Sequence, residues 1–197
     1  MLMGFSVFST AFFVQIPVLI AHLWSQHFDE HHRCFIPRPM KYVSKKEILQ
    51  IPIIGWSMRL AQHIPLQTES RRSQLETFKE TVKALEAGSS FITFPEGGRS
   101  TDGKIMAFKR GPFKMALRAH TPIVPISICE LAQWYPKGSL LPLDVPKGVR
   151  VIVHPPIHVA GQGFEEGELC DRVYAIVNSA LPTWQQGPAR VSSRDAP

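Results

Sequence analysis

The sequence predicts an α/β fold, a mixed sheet flanked by helices, preceded by an N-terminal membrane-associated helical segment. Three observations carry this expectation. Short apolar runs of strand length recur at 90–94, 123–128 and 149–153. Stretches with helical spacing alternate with them, at 73–87, 112–120 and 169–181. Ahead of them all, residues 1–28 contain no charged side chain.

That opening run, from Met3 to Trp24, is long enough to cross most of a bilayer. Trp24 stands where an interfacial aromatic belongs, and Arg33, Arg38, Lys41, Lys45 and Lys46 follow on one flank. The excess of positive charge predicts that the following domain faces the cytoplasm or its equivalent. A cleaved signal peptide lacks its basic leader and small-x-small cleavage site here. The remaining alternatives are a shallow hairpin, allowed by Ser6, Ser9, Thr10, Gln15 and Pro17, and a core helix. The expected division is an anchoring segment 1–28, a juxtamembrane junction 29–40, one domain 41–184, and a loose polar tail 185–197.

Within the domain, 45–62 predicts one or two short helices broken by Pro52 and Gly55. The segment 73–87 has capping-box spacing at Ser73 and Glu76, and an apolar stripe of Leu75, Phe78, Val82 and Leu85. Gly88 stands where a C′ glycine belongs. Pro112 suits the first turn of the next helix. The chain has 197 residues, 44% of them hydrophobic, which suffices for one core. Its net charge of +6 points to an anionic partner, either nucleic acid or an anionic membrane lipid surface. Cys34, Cys129 and Cys170 are three, widely spaced, and therefore predict neither a disulfide framework nor a zinc site.

The most informative stretch is Phe94-Pro95-Glu96-Gly97-Gly98-Arg99-Ser100, directly after a predicted buried strand. A strand that breaks into paired glycines presents backbone N–H groups at the sheet's carboxyl edge, and the arginine adds a planar fork for phosphate. Strand end, glycine turn and Arg99 together thus point to a phosphorylated substrate. Lys104, Lys109 and Arg110 are basic enough to attract a lipid or a nucleotide phosphate, or to be an ordinary solvated turn. A Glu96–Arg99 ion pair that only pins the turn is the structural alternative. His27-Phe28-Asp29-Glu30-His31-His32 lacks metal-ligand order and predicts a solvated run, so no metal site is expected.

Four segments in order resemble the glycerolipid acyltransferase family, most nearly its lysophosphatidic acid (1-acyl-sn-glycerol-3-phosphate) acyltransferases. They are K-Y-V-S-K-K-E-I-L-Q-I-P-I-I-G-W from Lys41, F-P-E-G-G-R-S from Phe94, D-G-K-I-M-A-F-K-R-G-P-F from Asp102 and T-P-I-V-P-I from Thr121. The resemblance implies a glycerol-3-phosphate acyltransferase-like fold. It implies transfer of a fatty acyl group from acyl-CoA or acyl carrier protein to the free hydroxyl of lysophosphatidate, giving phosphatidic acid in phospholipid biosynthesis. It implies no metal or organic cofactor, and a location at the endoplasmic reticulum or plastid membrane. The phosphate role carries over to Glu96, Gly97, Arg99 and Ser100, with Gly98 where the family usually has threonine.

The family's general base is a His–Asp pair in the pattern N-H-x4-D. His22, His27, His31, His32, His63, His120, His154 and His158 are followed five positions on by His, His, Ile, Pro, Thr, Pro, Val and Gly. No pair of that spacing exists. His22 with Asp29 is a weak substitute with two additional residues between them. The family's G-x-I-x-x-x-R block reads Gln62-His63-Ile64-Pro65-Leu66-Gln67-Thr68, without the glycine and the arginine. Since Cys34 onward resembles what normally follows the dyad, the expectation is that the block between anchor and domain is deleted. The competing readings are an acyltransferase with a substitute base, and a non-catalytic lipid-phosphate-binding remnant or truncated coding sequence. A nucleic-acid-binding domain would need interleaved aromatic and basic residues, which are absent, so no nucleic acid is expected.

Overall fold

The computed structural model describes residues 6–9, 40–45, 50, 54–60, 64–66, 70–137, 143–145 and 147–188. Its centre is a six-stranded sheet of β1 (Ser6–Ser9), β2 (Met40–Lys45), β3 (Ile64–Leu66), β4 (Ser90–Thr93), β5 (Ile123–Cys129) and β6 (Arg150–Val153), in the order β3-β2-β4-β1-β5-β6. All neighbours run parallel except β5 and β6, which makes the sheet mixed. Among the described residues four helices accompany it: α1 (Ile54–Leu60), α2 (Arg71–Glu86), α3 (Gly111–Arg118) and α4 (Glu166–Ala180). Helix α3 packs against both α2 and α4, and α4 lies on β5.

Strand β1 corrects the sequence expectation. Phe8 stands opposite Thr93 on one side and Pro125 on the other, so Ser6–Ser9 is hydrogen-bonded along both edges near the middle of the sheet. These residues belong to the domain and not to an anchoring segment. The confusion has a physical origin: a parallel strand covered on both faces is an uncharged apolar run, the same composition that a bilayer demands. The rest of the expected anchor, the junction up to residue 39, His22 and the His27–His32 cluster lie outside the described residues. Among the described residues no helix is long and apolar enough to cross a membrane.

The helix ends follow local chemistry, with shifts. α2 starts three residues before the expected cap: Ser70 Oγ accepts the Ser73 N–H at 3.1 Å, and Ser73 Oγ donates to the Ser70 carbonyl at 2.9 Å. Its buried face is Ser73, Thr77, Thr81, Val82 and Leu85, whereas Leu75 is 60% exposed. Thr77 and Thr81 can be buried because each hydroxyl donates to the carbonyl four residues back. The expected terminator holds: Gly88, at φ 86°, donates to Leu85, and Ser89 to Ala84, which is a Schellman closure. α3 ends in the same pattern, but His120 takes the left-handed position at φ 51°.

The core gathers α3, α4, β5 and the 105–108 segment around Phe113, Ile123, Leu169, Val173 and Val177, none more than 1% exposed. Phe108 stacks on Phe113 at 6.3 Å and meets Tyr174 edge-on at 5.1 Å. Cys129 and Cys170 are buried and not joined in a disulfide, and burial pushes the Cys129 thiol pKa up. The tail is not loose at its start. Gln185 is 5% exposed, and Gly187 donates to Asn178 Oδ1 at 3.0 Å. A packed strap therefore runs on from α4 to Pro188, and residues 189–197 lie outside the described residues.

Candidate functional site

The glycine turn sits at the carboxyl end of β4, where open parallel sheets leave room for ligands. Gly97 donates to the Phe94 carbonyl at 3.1 Å, closing a tight turn that needs its φ of 71°. Glu96 is buried, and its Oε2 accepts the Met106 N–H at 2.7 Å. Lys109 donates its backbone N–H to the Pro95 carbonyl at 2.8 Å. The turn is thereby stitched to the 105–109 segment along both of its edges. The Lys109 side chain lies across Gly97: a Cβ there would fall 2.5 Å from its Nζ.

Beyond this turn opens a cleft of about 250 Å³. Glu96, Arg99, Ser100 and Lys104 line it, so four of the expected site residues converge on one cavity. Gly97, Gly98, Lys109 and Arg110 are not part of its lining. The Arg110 guanidinium lies instead beside Gly167 at the start of α4. Arg99 enters the cleft with its guanidinium 4.6 Å over the Tyr135 ring, and its Nη1 donates to the Pro136 carbonyl at 2.9 Å. This stacking aims the fork along the cleft and holds it there. Ile105, Ile128, Leu131 and Leu181 supply apolar wall. The strand segment Thr121–Ile126 is not in the lining; Ile128, at the far end of β5, is.

Sequence reasoning missed the opposite wall. Tyr135, Lys137, Trp184 and Gln185 reach the cleft from the loop after β5 and from the strap after α4. Nothing local marks them, since only the fold brings residues 135 and 184 to residue 99. Within Trp134-Tyr135-Pro136 the Tyr135 side chain is packed, at 4% exposed.

No histidine among the described residues lines the cleft. His154 makes a different contact, with Nε2 2.8 Å from Ser127 Oγ. Ser127 is fully buried and donates its hydroxyl proton to the Val177 carbonyl at 3.1 Å. Its oxygen therefore accepts from the His154 Nε2–H, and the pair ties β6 to α4 instead of forming a nucleophile and base. Burial lowers the His154 pKa below its ordinary value. The unfolded chain then binds more protons than the native one just below pH ~6.5. Stability is expected to be complete above that pH and to fall as pH drops toward the lowered native pKa. Urea melts at pH 7.5 and pH 5.5 check this: His154→Gln should flatten the dependence, and an unchanged slope would count against it.

Among the described residues no group of three His, Cys, Asp or Glu is arranged to hold a metal ion. What the cleft offers chemically is a fixed arginine, a hydroxyl and a further cation above an apolar floor, a combination suited to an anionic amphiphile.

The acyltransferase family pattern matches residues 17–129. A 1-acyl-sn-glycerol-3-phosphate acyltransferase of Chlamydomonas reinhardtii is 35% identical over 182 residues, covering 91% of this chain and 53% of that protein. A chloroplastic 1-acyl-sn-glycerol-3-phosphate acyltransferase of Arabidopsis thaliana is 40% identical over 144 residues, 73% of this chain and 39% of that protein. The crystal structure of the 1-acyl-sn-glycerophosphate acyltransferase PlsC from Thermotoga maritima superimposes with a TM-score of 0.67 at 26% identity, covering 89% of this chain and 64% of that one. The chain thus spans about half the length, or less, of these two curated relatives.

Proposed function

Because the chain belongs to the acyltransferase family, we propose that it transfers a fatty acyl group from a thioester, acyl-CoA or acyl carrier protein, to 1-acyl-sn-glycerol-3-phosphate, giving phosphatidic acid. The observation that carries this reading is Arg99, stacked on Tyr135 and aimed into a cleft at the carboxyl end of β4. Arg99 and Ser100 hold the phosphate, and Glu96 braces the turn through Met106. Gly97, at φ 71°, lets the turn close tightly and so sets Arg99 and Ser100 at the cleft. In the transfer, the acceptor hydroxyl oxygen bonds to the thioester carbonyl carbon, the C–S bond breaks, and the hydroxyl proton ends on the departing thiol. The thioester is already activated, so the reaction calls for no metal or organic cofactor. The chloroplastic relative from Arabidopsis favours the plastid over the endoplasmic reticulum, at the membrane that holds the lipid substrate.

A second reading is favoured by one specific observation. The chain has no His–x4–Asp pair, and no described histidine lines the cleft. On that reading it binds lipid phosphate without turnover. Loss of a positioned general base costs about 10²–10⁴-fold in rate. The native chain, incubated with lysophosphatidate and oleoyl-CoA, separates the two. Phosphatidate formed above the uncatalysed rate selects the enzyme; saturable lysophosphatidate binding without product selects the binding protein. If neither occurs, both readings are lost.

A further inference from the structure

Gln185, in the strap after α4, lines the cleft although it is only 5% exposed. Most of its polar groups are used within the protein. Its backbone N–H donates to the Pro182 carbonyl at 2.8 Å, and its own carbonyl accepts the Ile105 N–H at 2.8 Å. Its Oε1 accepts the Glu130 N–H at 2.7 Å. That bond fixes which way the carboxamide faces, because an N–H can meet only the oxygen. Glu130 is a non-glycine residue in a left-handed backbone, at φ 66°, and this contact helps to hold it there. The carboxamide nitrogen remains. It has no partner in the protein, yet it is not sealed off. Among the described residues the only enclosed side-chain polar atom without a partner is Thr121 Oγ1. Nε2 of Gln185 therefore opens on the cleft that the residue lines.

Its surroundings there are apolar. Ile105 is bonded to Gln185 through the backbone, Leu131 follows Glu130, and Leu181 precedes Gln185 at the end of α4; all three line the cleft. A neutral donor set in an apolar wall suits a neutral acceptor on an otherwise apolar part of a ligand. The cations Arg99 and Lys104 in the same cleft suit the charged end. In lysophosphatidate the group between the charged head and the hydrocarbon tail is the sn-1 ester, whose carbonyl oxygen is such an acceptor. An ether-linked analogue has a methylene in that place and would cover the donor without pairing it. On the reading that lysophosphatidate occupies this cleft, we propose that Gln185 Nε2 donates to the sn-1 ester carbonyl. Gln185 is then a specificity-determining residue that selects 1-acyl over 1-alkyl glycerol phosphates.

Equilibrium binding in detergent of 1-oleoyl-lysophosphatidate and of its 1-O-octadecenyl ether analogue tests this, in the native chain and in Gln185→Met. The native chain is expected to hold the ester about tenfold more tightly than the ether, because the ether leaves a covered donor unpaired. In Gln185→Met the ester should lose about tenfold while the ether keeps its affinity, so that the two become equal. If far-UV circular dichroism shows that variant unfolded, Gln185→Glu takes its place with the same expectation, since it keeps the oxygen that the Glu130 N–H requires. Equal binding of both lipids to the native chain, a preference that persists in the variant, or both lipids weakening together overturns the assignment. In each of those cases the cleft is still a lysophosphatidate site. No saturable binding of either lipid to the native chain removes the parent reading as well. Ester selectivity without any phosphatidate formed keeps the role of Gln185 and removes only the enzyme.

Discussion

Arg99→Ala is expected to bind lysophosphatidate about 10- to 100-fold more weakly than the native chain, because a hydrogen bond to a charged group contributes ~1.5–3 kcal/mol. The guanidinium is already stacked on Tyr135 and anchored to the Pro136 carbonyl, so no side-chain entropy is lost when phosphate arrives. Arg99→Lys should recover only part of the loss. Lysine keeps the charge but has neither the planar fork nor the flat face that rests on the ring. Equilibrium binding to lysophosphatidate in detergent, with far-UV circular dichroism as the folding control, measures both variants. Equal affinity in native and alanine chains would remove the phosphate role from this residue. The cation also ties the 131–137 loop to the turn. A dichroism spectrum that stays native is therefore part of the expected result.

The largest effect on stability is expected from Phe113→Ala, a loss of about 3–5 kcal/mol. Phe113 is fully buried at the start of α3, and Phe108 stacks on it before meeting Tyr174 of α4. Against a total of ~5–15 kcal/mol for a typical domain, this is a large share. The consequence reaches the site, because Phe108 anchors the segment that carries Lys104 and the Met106 N–H held by Glu96. Urea denaturation should show the midpoint falling with an unchanged slope. A loss below about 1 kcal/mol would mean that the aromatic cluster closes over the vacancy, and that Phe108 does not depend on it. Phe113→Leu, which keeps most of the volume, should lose far less.

Much of this protein was legible before folding was considered. The glycine turn after β4 was recognisable because its signal is local: a strand, a proline, two glycines and an arginine stand consecutively in the sequence. The Gly88 terminator and the first-turn Pro112 were legible for the same reason, since a cap is decided within one turn of helix. The start of α2 was misplaced by three residues because Ser70 and Ser73 are both competent caps. What separates them is the burial of Ser73 against the rest of the fold. Leu75 matched the helical period yet stays exposed, while Thr77 and Thr81 took the buried face by satisfying their hydroxyls within the helix.

By itself, then, the sequence determined the family and its glycine turn, the strands β4, β5 and β6, and the three longer helices, all of which rest on interactions within a few residues. Only the tertiary structure decided that Ser6–Ser9 is a sheet strand, because composition cannot distinguish an apolar run covered by protein from one covered by lipid. It alone decided which cations share a cavity: Lys104 joins Arg99 there and Lys109 does not. It also brought Tyr135, Lys137, Trp184 and Gln185 across from distant parts of the chain. Those meetings depend on strand order and on the packing of α4, which are properties of many residues acting together and of no single stretch.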